Sequence, residues 1–429
     1  MTPQSNLMIV APLVASREGE LRQLLATMNL EPGVANPENS LVRFGRLGTL
    51  HFARFVILED GTRDDLKACG LPPADSTKSL ALLCDFDGDD EVFYRELITN
   101  AEPGLRVLFS CCEPTPGPDL LAWLKDHNKR AQAAYVNWIG RTVLQVREES
   151  TLYAALQPRI NVAGAAKPRQ VWSDLRSYMR AEVAAGRLSL TPEASTPVGW
   201  SVKNFLHLVG IPLLGLLFLP LILLYLPIFL IQLRMHEKAD PVIAPRPTSE
   251  HARALAELED RIVTNQFSAY GNIKPGPFRR WTIAAVFLAI DYTARHIFKR
   301  GFLARVMTIQ FARWVFLDNH TRAFFASNYD GSLESYMGDF INKVAWGLNV
   351  VFSNGLGYPR TDWLIVGGAK DELTFKDYLR RHQLPTQVWY NATPGITASD
   401  MERNAKVREG LEKSEMSDHE LRQWIRLFG

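Results

Sequence analysis

The stretch His51-Phe-Ala-Arg-Phe-Val-Ile-Leu58 returns, 259 residues later, as Gln310-Phe-Ala-Arg-Trp-Val-Phe-Leu317. Each is a short β-rich apolar run interrupted by one arginine, Arg54 or Arg313, so each reads as a buried strand carrying a single charge. Two further blocks repeat in the same order. Cys84-Asp-Phe-Asp-Gly-Asp89 matches Ser327-Asn-Tyr-Asp-Gly-Ser332, and Val107-Leu-Phe-Ser110 matches Val350-Val-Phe-Ser353, both at an offset of 243. His127 with His382, and Tyr135 with Tyr390, align at an offset of 255. An ordered internal repeat decides a fold before any single motif does.

Working outward, each copy reads as strand, helix, strand, strand, helix, strand. The first copy supplies 7–14, 18–28, 49–58, 80–85, 91–101 and 105–111, and the second 265–273, 277–299, 308–317, 323–329, 333–346 and 348–353. The Asp-Gly steps at 87–88 and 330–331 sit where a strand hands over to a helix, with Ser332 placed as a cap. This order is that of a ferredoxin-like unit, whose four-stranded sheet has one uncovered face. The expected fold class is α+β, with two tandem ferredoxin-like modules packed sheet to sheet as an intramolecular α/β barrel. The expected boundaries are a first module at 1–150, a helical linker at 151–262, a second module at 263–395 and a C-terminal helical arm at 396–429 that packs on the body or forms an oligomer contact.

With these blocks in place, the chain resembles the dimeric α/β-barrel superfamily, which includes dye-decolourising peroxidases and chlorite dismutases alongside cofactor-free enzymes. The resemblance to the peroxidases implies haem, an axial histidine and a distal Asp and Arg acting on peroxide. Asp330-Gly331 partly matches the family's GxxDG motif, although Ser327 stands where its first glycine belongs. On this reading Asp330, Arg313 and Arg360 are the candidate catalytic residues. His382 is the candidate axial metal ligand, with Asn328 and Tyr390 beside the cofactor. A histidine at a helix end also caps the last carbonyls, as His127 at the matching position would. Arg54 and Arg313 equally need buried partners for structural reasons alone, and a pair present in both copies favours that reading.

One segment lies outside the repeat. From Phe205 to Leu233 there is no Asp, Glu, Lys or Arg, a stretch longer than the roughly 20 residues that cross a bilayer. A soluble core helix is the alternative, but such helices rarely stay apolar on every face. A single span would put the two modules on opposite sides of the membrane and forbid a shared barrel. The expectation is therefore a monotopic hairpin bending near Pro220, each half about 14 residues and about 21 Å long. The helix at 278–300, with cationic ends and aromatics between, is a second membrane-facing candidate.

Composition narrows the rest. Hydrophobic residues make up 47% and charged residues 22%, which suits a globular chain, and a net charge of +2 offers no field to hold nucleic acid. The chain opens without an early positive charge, so no secretory signal is expected, and four cysteines without paired spacing read as reduced thiols. There is no GxSxG, GxxxxGK[ST], HExxH or strand-following GxGxxG sequence. The functional expectation is a protein on the cytoplasmic face of a membrane acting on a lipophilic small molecule, as a haem-dependent peroxidase-like oxidoreductase. The alternative is a non-catalytic lipid-binding or scaffold protein. Membrane lipid is the expected partner, and a homo-oligomer is open.

Overall fold

The computed structural model describes residues 1–72, 77–163, 167–243, 245–299, 303 and 306–429. Eight strands carry the fold: β1 (Gln4–Pro12), β2 (Leu50–Leu58), β3 (Ser79–Asp87) and β4 (Ala133–Val136), then β5 (Thr264–Asn272), β6 (Ile309–Leu317), β7 (Arg322–Asp330) and β8 (Thr386–Asn391). They form two four-stranded antiparallel sheets, one ordered β1-β3-β2-β8 and the other β4-β6-β7-β5. The repeated runs are therefore paired strands in equivalent central places, β2 in one sheet and β6 in the other.

The fourth strand of each half is exchanged. β4 comes from the first half but pairs with β6, and β8 comes from the second half but pairs with β2. Each begins beside its own half: Lys129 N donates to Met8 O at 2.8 Å, and Leu384 N to Ser268 O at 2.8 Å. It then crosses to the other sheet, so each half completes the other. No continuous ladder closes the two sheets into a barrel among the described residues.

This exchange corrects two expected strands. Residues 105–111 and 348–353 fall mostly in long helices, α2 (Asp90–Phe109) and α9 (Leu333–Phe352). Short apolar runs such as Val107-Leu-Phe and Val350-Val-Phe suit a strand or a half-buried helix equally, and here the helix simply continues. The remaining expected strands hold to within a few residues. Asp89 caps α2 through Glu91 N, and Ser332 caps α9 through Ser335 N, each after a glycine with positive φ, Gly88 (88°) and Gly331 (84°). A side chain at either glycine would be strained.

Helices cover the outer faces of the sheets. Helix α1 (Glu18–Ala26), α2 and α3 (Leu120–Asp126) build one core around Phe55, Phe86 and Phe109. α8 (Pro277–His296), α9 and α10 (Glu372–His382) build a second around Phe287, Trp314 and Tyr336. Between the sheets lies a third apolar layer that includes Val10, Val56, Leu83, Val315 and Phe324, contributed by both halves. The C-terminal arm is two helices, α11 (Ala398–Glu412) and α12 (Asp418–Ile425), packed on α4 (Val143–Ala163) and α5 (Pro168–Ala184) through Leu156, Trp172, Leu411 and Trp424. The four cysteines are free thiols.

The apolar segment forms two adjacent helices, α6 (Val198–Leu217) and α7 (Leu219–Ala239), broken at Phe218 with Pro220 in the first turn of the second. Both are longer than expected, because the polar flanks on each side also wind into helix. At 1.5 Å per residue each reaches about 30 Å. None of α6 is buried, and of α7 only Leu233 and Glu237 are.

Candidate functional site

The repeated arginines meet between the sheets. Arg54 crosses from the first sheet to the second, where Nη1 donates to Phe267 O (2.8 Å) and Ser268 Oγ (2.9 Å), and Nη2 to Ser327 O (3.1 Å) and to Asn328 Oδ1. Arg313 makes the mirror crossing, donating to Leu7 O (2.6 Å), Cys84 O (3.0 Å) and the Asp85 carboxylate. Asn328 Nδ2 closes the circuit onto Asp85 Oδ2 at 3.1 Å. Both guanidinium groups are 3% exposed, and burial pushes Arg54 down to about 9. A buried cation is tolerated only when it is paired and hydrogen-bonded, and this network supplies both. The circuit is thus a latch between the halves.

Asp330 belongs to a second repeated device. A bulge interrupts β2 between Leu50 and Phe52, and another interrupts β6 between Ile309 and Phe311. Bulges re-aim the side chain they carry. His51 Nε2 lies 2.9 Å from Asp87 Oδ1, and Gln310 Nε2 donates to Asp330 Oδ1 at 2.7 Å. The remaining carboxylate oxygens accept Val143 N (2.8 Å) and Ala398 N (2.6 Å), the first residues of α4 and α11. Each Asp therefore ties the start of a helix to the end of a strand. Burial raises Asp330 to about 6. Gln310 does the work of His51, so that difference between the copies is no mark of a special site. The bulge also shifts the register by one residue: Ile309 faces Tyr329, while beyond it Arg313 faces Ala326.

The other candidate residues lie apart. Arg360 donates to Glu237 O (3.3 Å) and Lys238 O (2.8 Å), neutralising carbonyls at the C-terminal end of α7. Tyr390 stacks on Phe44 at 5.0 Å in the first core. His382 Nδ1 lies 2.8 Å from Tyr378 O, as His127 Nδ1 lies 2.8 Å from Trp123 O, so both histidines take up a carbonyl four residues back. His382 Nε2 is buried without a partner among the described residues, which would suit a metal ligand. Its ring, however, lies so close to the β5 backbone that a Cβ at Gly271 would meet Cδ2 at 2.4 Å, and the cavity beside it is only about 50 Å³. Haem does not fit there. Asn328 faces the other sheet and Tyr390 belongs to the other core, so these three side chains do not surround one space.

Burial lowers His382 to about 4. A base whose folded value lies below its unfolded value of about 6.5 contributes stability above that pH and loses it as the pH falls toward the folded value. Between pH 7 and pH 5 the loss is roughly 2 kcal/mol. His382→Asn, which keeps a donor toward Tyr378 O, is expected to be less pH-dependent than the parent by about that amount in denaturant unfolding. Equal slopes would mean that His382 titrates freely.

A separate feature is an apolar cavity of about 270 Å³ between α8, α9 and the outer face of the second sheet. Val286, Ile290, Trp314, Phe325, Phe340 and Val344 line it, and the buried Trp314 Nε1 has no acceptor among the described residues. Helix α8 also meets both apolar helices. His207 of α6 lies 2.8 Å from His296, and Tyr292 donates to Leu208 O. Phe229 and His236 of α7 contact Phe278 at the opposite end. Arg300, the last residue of the cationic helix read from the sequence, lies outside the described residues. The foot of α7 is clamped at Glu237, whose carboxylate accepts Thr361 Oγ1 (2.9 Å), Trp363 N (2.9 Å), Leu364 N (2.8 Å) and Arg234 Nη1 (2.7 Å). The sequence reading missed Glu237, although an acid set just past a charge-free run was its signal.

These elements define an α+β protein of two four-stranded antiparallel sheets packed with helices, bearing an adjacent pair of long, exposed apolar helices. No family model, curated protein or solved structure matches the chain.

Proposed function

We propose that the chain is a membrane-attached lipid-binding protein whose two sheet modules lie together on one side of the bilayer, with α6 and α7 entering and returning as a hairpin. The observation that carries this reading is the apolar pair itself. Its large side chains, among them Leu213, Leu216, Leu221, Ile222 and Leu224, are exposed on every face, and such a patch is far beyond what a water-soluble surface leaves uncovered. Both arms rest on α8, so the chain leaves the body and comes back to it. The apolar cavity against α8 supports the lipophilic half of the proposal, and the lone Trp314 donor suits a ligand with one acceptor on an apolar frame.

Binding is favoured over peroxide chemistry because Asp330, Arg313 and Arg360 are all occupied by internal contacts that hold helices and sheets in place. In this reading the face-to-face sheets are a rigid body, barrel-like in the way the halves exchange strands, with each half a ferredoxin-like module completed by the other. The test is flotation of the full chain with neutral phosphatidylcholine vesicles in high salt. The protein is expected in the vesicle layer. Recovery at the bottom of the gradient would reject membrane attachment.

A further inference from the structure

Lys274 follows β5, and Arg279 sits in the first turn of α8; they are 6% and 1% exposed. Both donate to the same oxygen, Asp240 Oδ2, at 2.7 Å each. Lys274 Nζ also reaches Ser353 O at 2.8 Å. Arg279 Nη1 lies 3.5 Å from Asn354 Oδ1, and Asn354 Nδ2 is buried without a partner among the described residues. Among the described residues, two buried cations thus share one carboxylate, and the nearest amide adds an unused donor. Burial pushes the Lys274 ammonium below its usual range, as expected of a cation short of compensation.

The backbone adds to this imbalance. α8 starts after Gly276 without a side-chain cap and without an acid in its first turn. The first turn of α8 therefore carries Arg279 and Arg280 and no acid of its own, the unfavourable arrangement for a helix start. A cavity of about 210 Å³ opens at this point, lined by Cys69, His236, Asp240, Lys274, Arg279 and Gly357. Two buried cations that share one carboxylate on the wall of this cavity, beside an uncapped helix start, ask for the same thing, an acceptor carrying negative charge. A metal cation has the wrong sign for such a space.

We infer that this cavity binds a phosphate monoester anion, held by Lys274 and Arg279. Its place at the foot of α7, just beyond the apolar stretch, makes a phospholipid headgroup the fitting source. That choice of source rests on the membrane reading, whereas the anion site does not.

The test uses the full chain and two probes. Inorganic phosphate, compared with chloride at equal ionic strength, is expected to raise the melting temperature. Phosphatidylcholine vesicles containing phosphatidic acid are expected to bind more tightly than phosphatidylcholine alone. Lys274→Met should weaken both effects at least about tenfold. Asp240→Asn removes the built-in carboxylate and should strengthen both, about tenfold, a gain that misfolding cannot produce. Flotation on neutral vesicles should stay unchanged in both variants, which separates this site from the hairpin. A phosphate effect without a vesicle effect would keep the anion site and overturn the lipid source. No phosphate effect in the parent, or equal effects in parent and Lys274→Met, would overturn the site.

Discussion

Arg313→Ala is expected to destabilise the folded chain by about 3–5 kcal/mol, the usual cost of removing one partner from a buried charged network. The substitution leaves the Asp85 carboxylate, 8% exposed, facing the sheet interface without its cation, and leaves Leu7 O and Cys84 O without their donor. Arg54→Ala should cost a similar amount, because Ser268, Asn328 and two backbone carbonyls lose their donor together. The informative measurement is the double variant Arg54→Ala with Arg313→Ala, followed by denaturant unfolding. Since both arginines act through the Asn328–Asp85 contact, the combined loss should fall short of the sum by more than the few tenths of a kcal/mol seen for independent sites. Strict additivity would mean that the two crossings are separate interactions.

The second large effect concerns attachment. Replacing 209–228 by a flexible Gly/Ser linker of equal length should move the protein from the vesicle layer to the soluble fraction. Each large apolar side chain taken from water into the bilayer gains roughly 1.5–3 kcal/mol, and this stretch presents them in quick succession. The contacts that root the arms, at His207, Leu208, Phe229 and Glu237, lie outside the replaced residues. The body should therefore unfold at an unchanged denaturant midpoint. A linker variant that still floats after a salt wash would shift the attachment to another surface, the cationic ends of α8 being the first to examine.

How much of this was legible in the sequence depended on the range of the interaction. The central strands were legible because β-rich runs repeat in order, and their pairing within each half follows from short connections. The exchange of β4 and β8 was not. Nothing local to Ala133–Val136 says that its partner is Phe311–Trp314, although Tyr135 and Tyr390, which align in the repeat, both fall on the exchanged strands. The need of Arg54 and Arg313 for partners was also legible, since a charge in an apolar strand is costly. The identity of those partners was not, since each arginine finds them in the other half. His382 and Asp330 were drawn toward catalysis by a resemblance, while the repeat already held the plainer account in His127 and Asp87. Arg279 carried an unread signal of its own: a cation in the first turn of a helix works against the dipole and so points to an anion nearby.

The central claim is that both halves lie on the same side of the membrane, held there by α6 and α7. Its most direct test is labelling with a membrane-impermeant thiol reagent in sealed vesicles of uniform orientation. Single cysteines are placed at exposed positions of the two halves, Glu31→Cys and Glu372→Cys, in a Cys69→Ser background whose remaining thiols, Cys84, Cys111 and Cys112, are buried. The two positions should behave alike, both labelled or both protected until detergent is added. Labelling at one position with protection at the other would place the halves on opposite sides, and would contradict both the returning hairpin and the latch between the sheets.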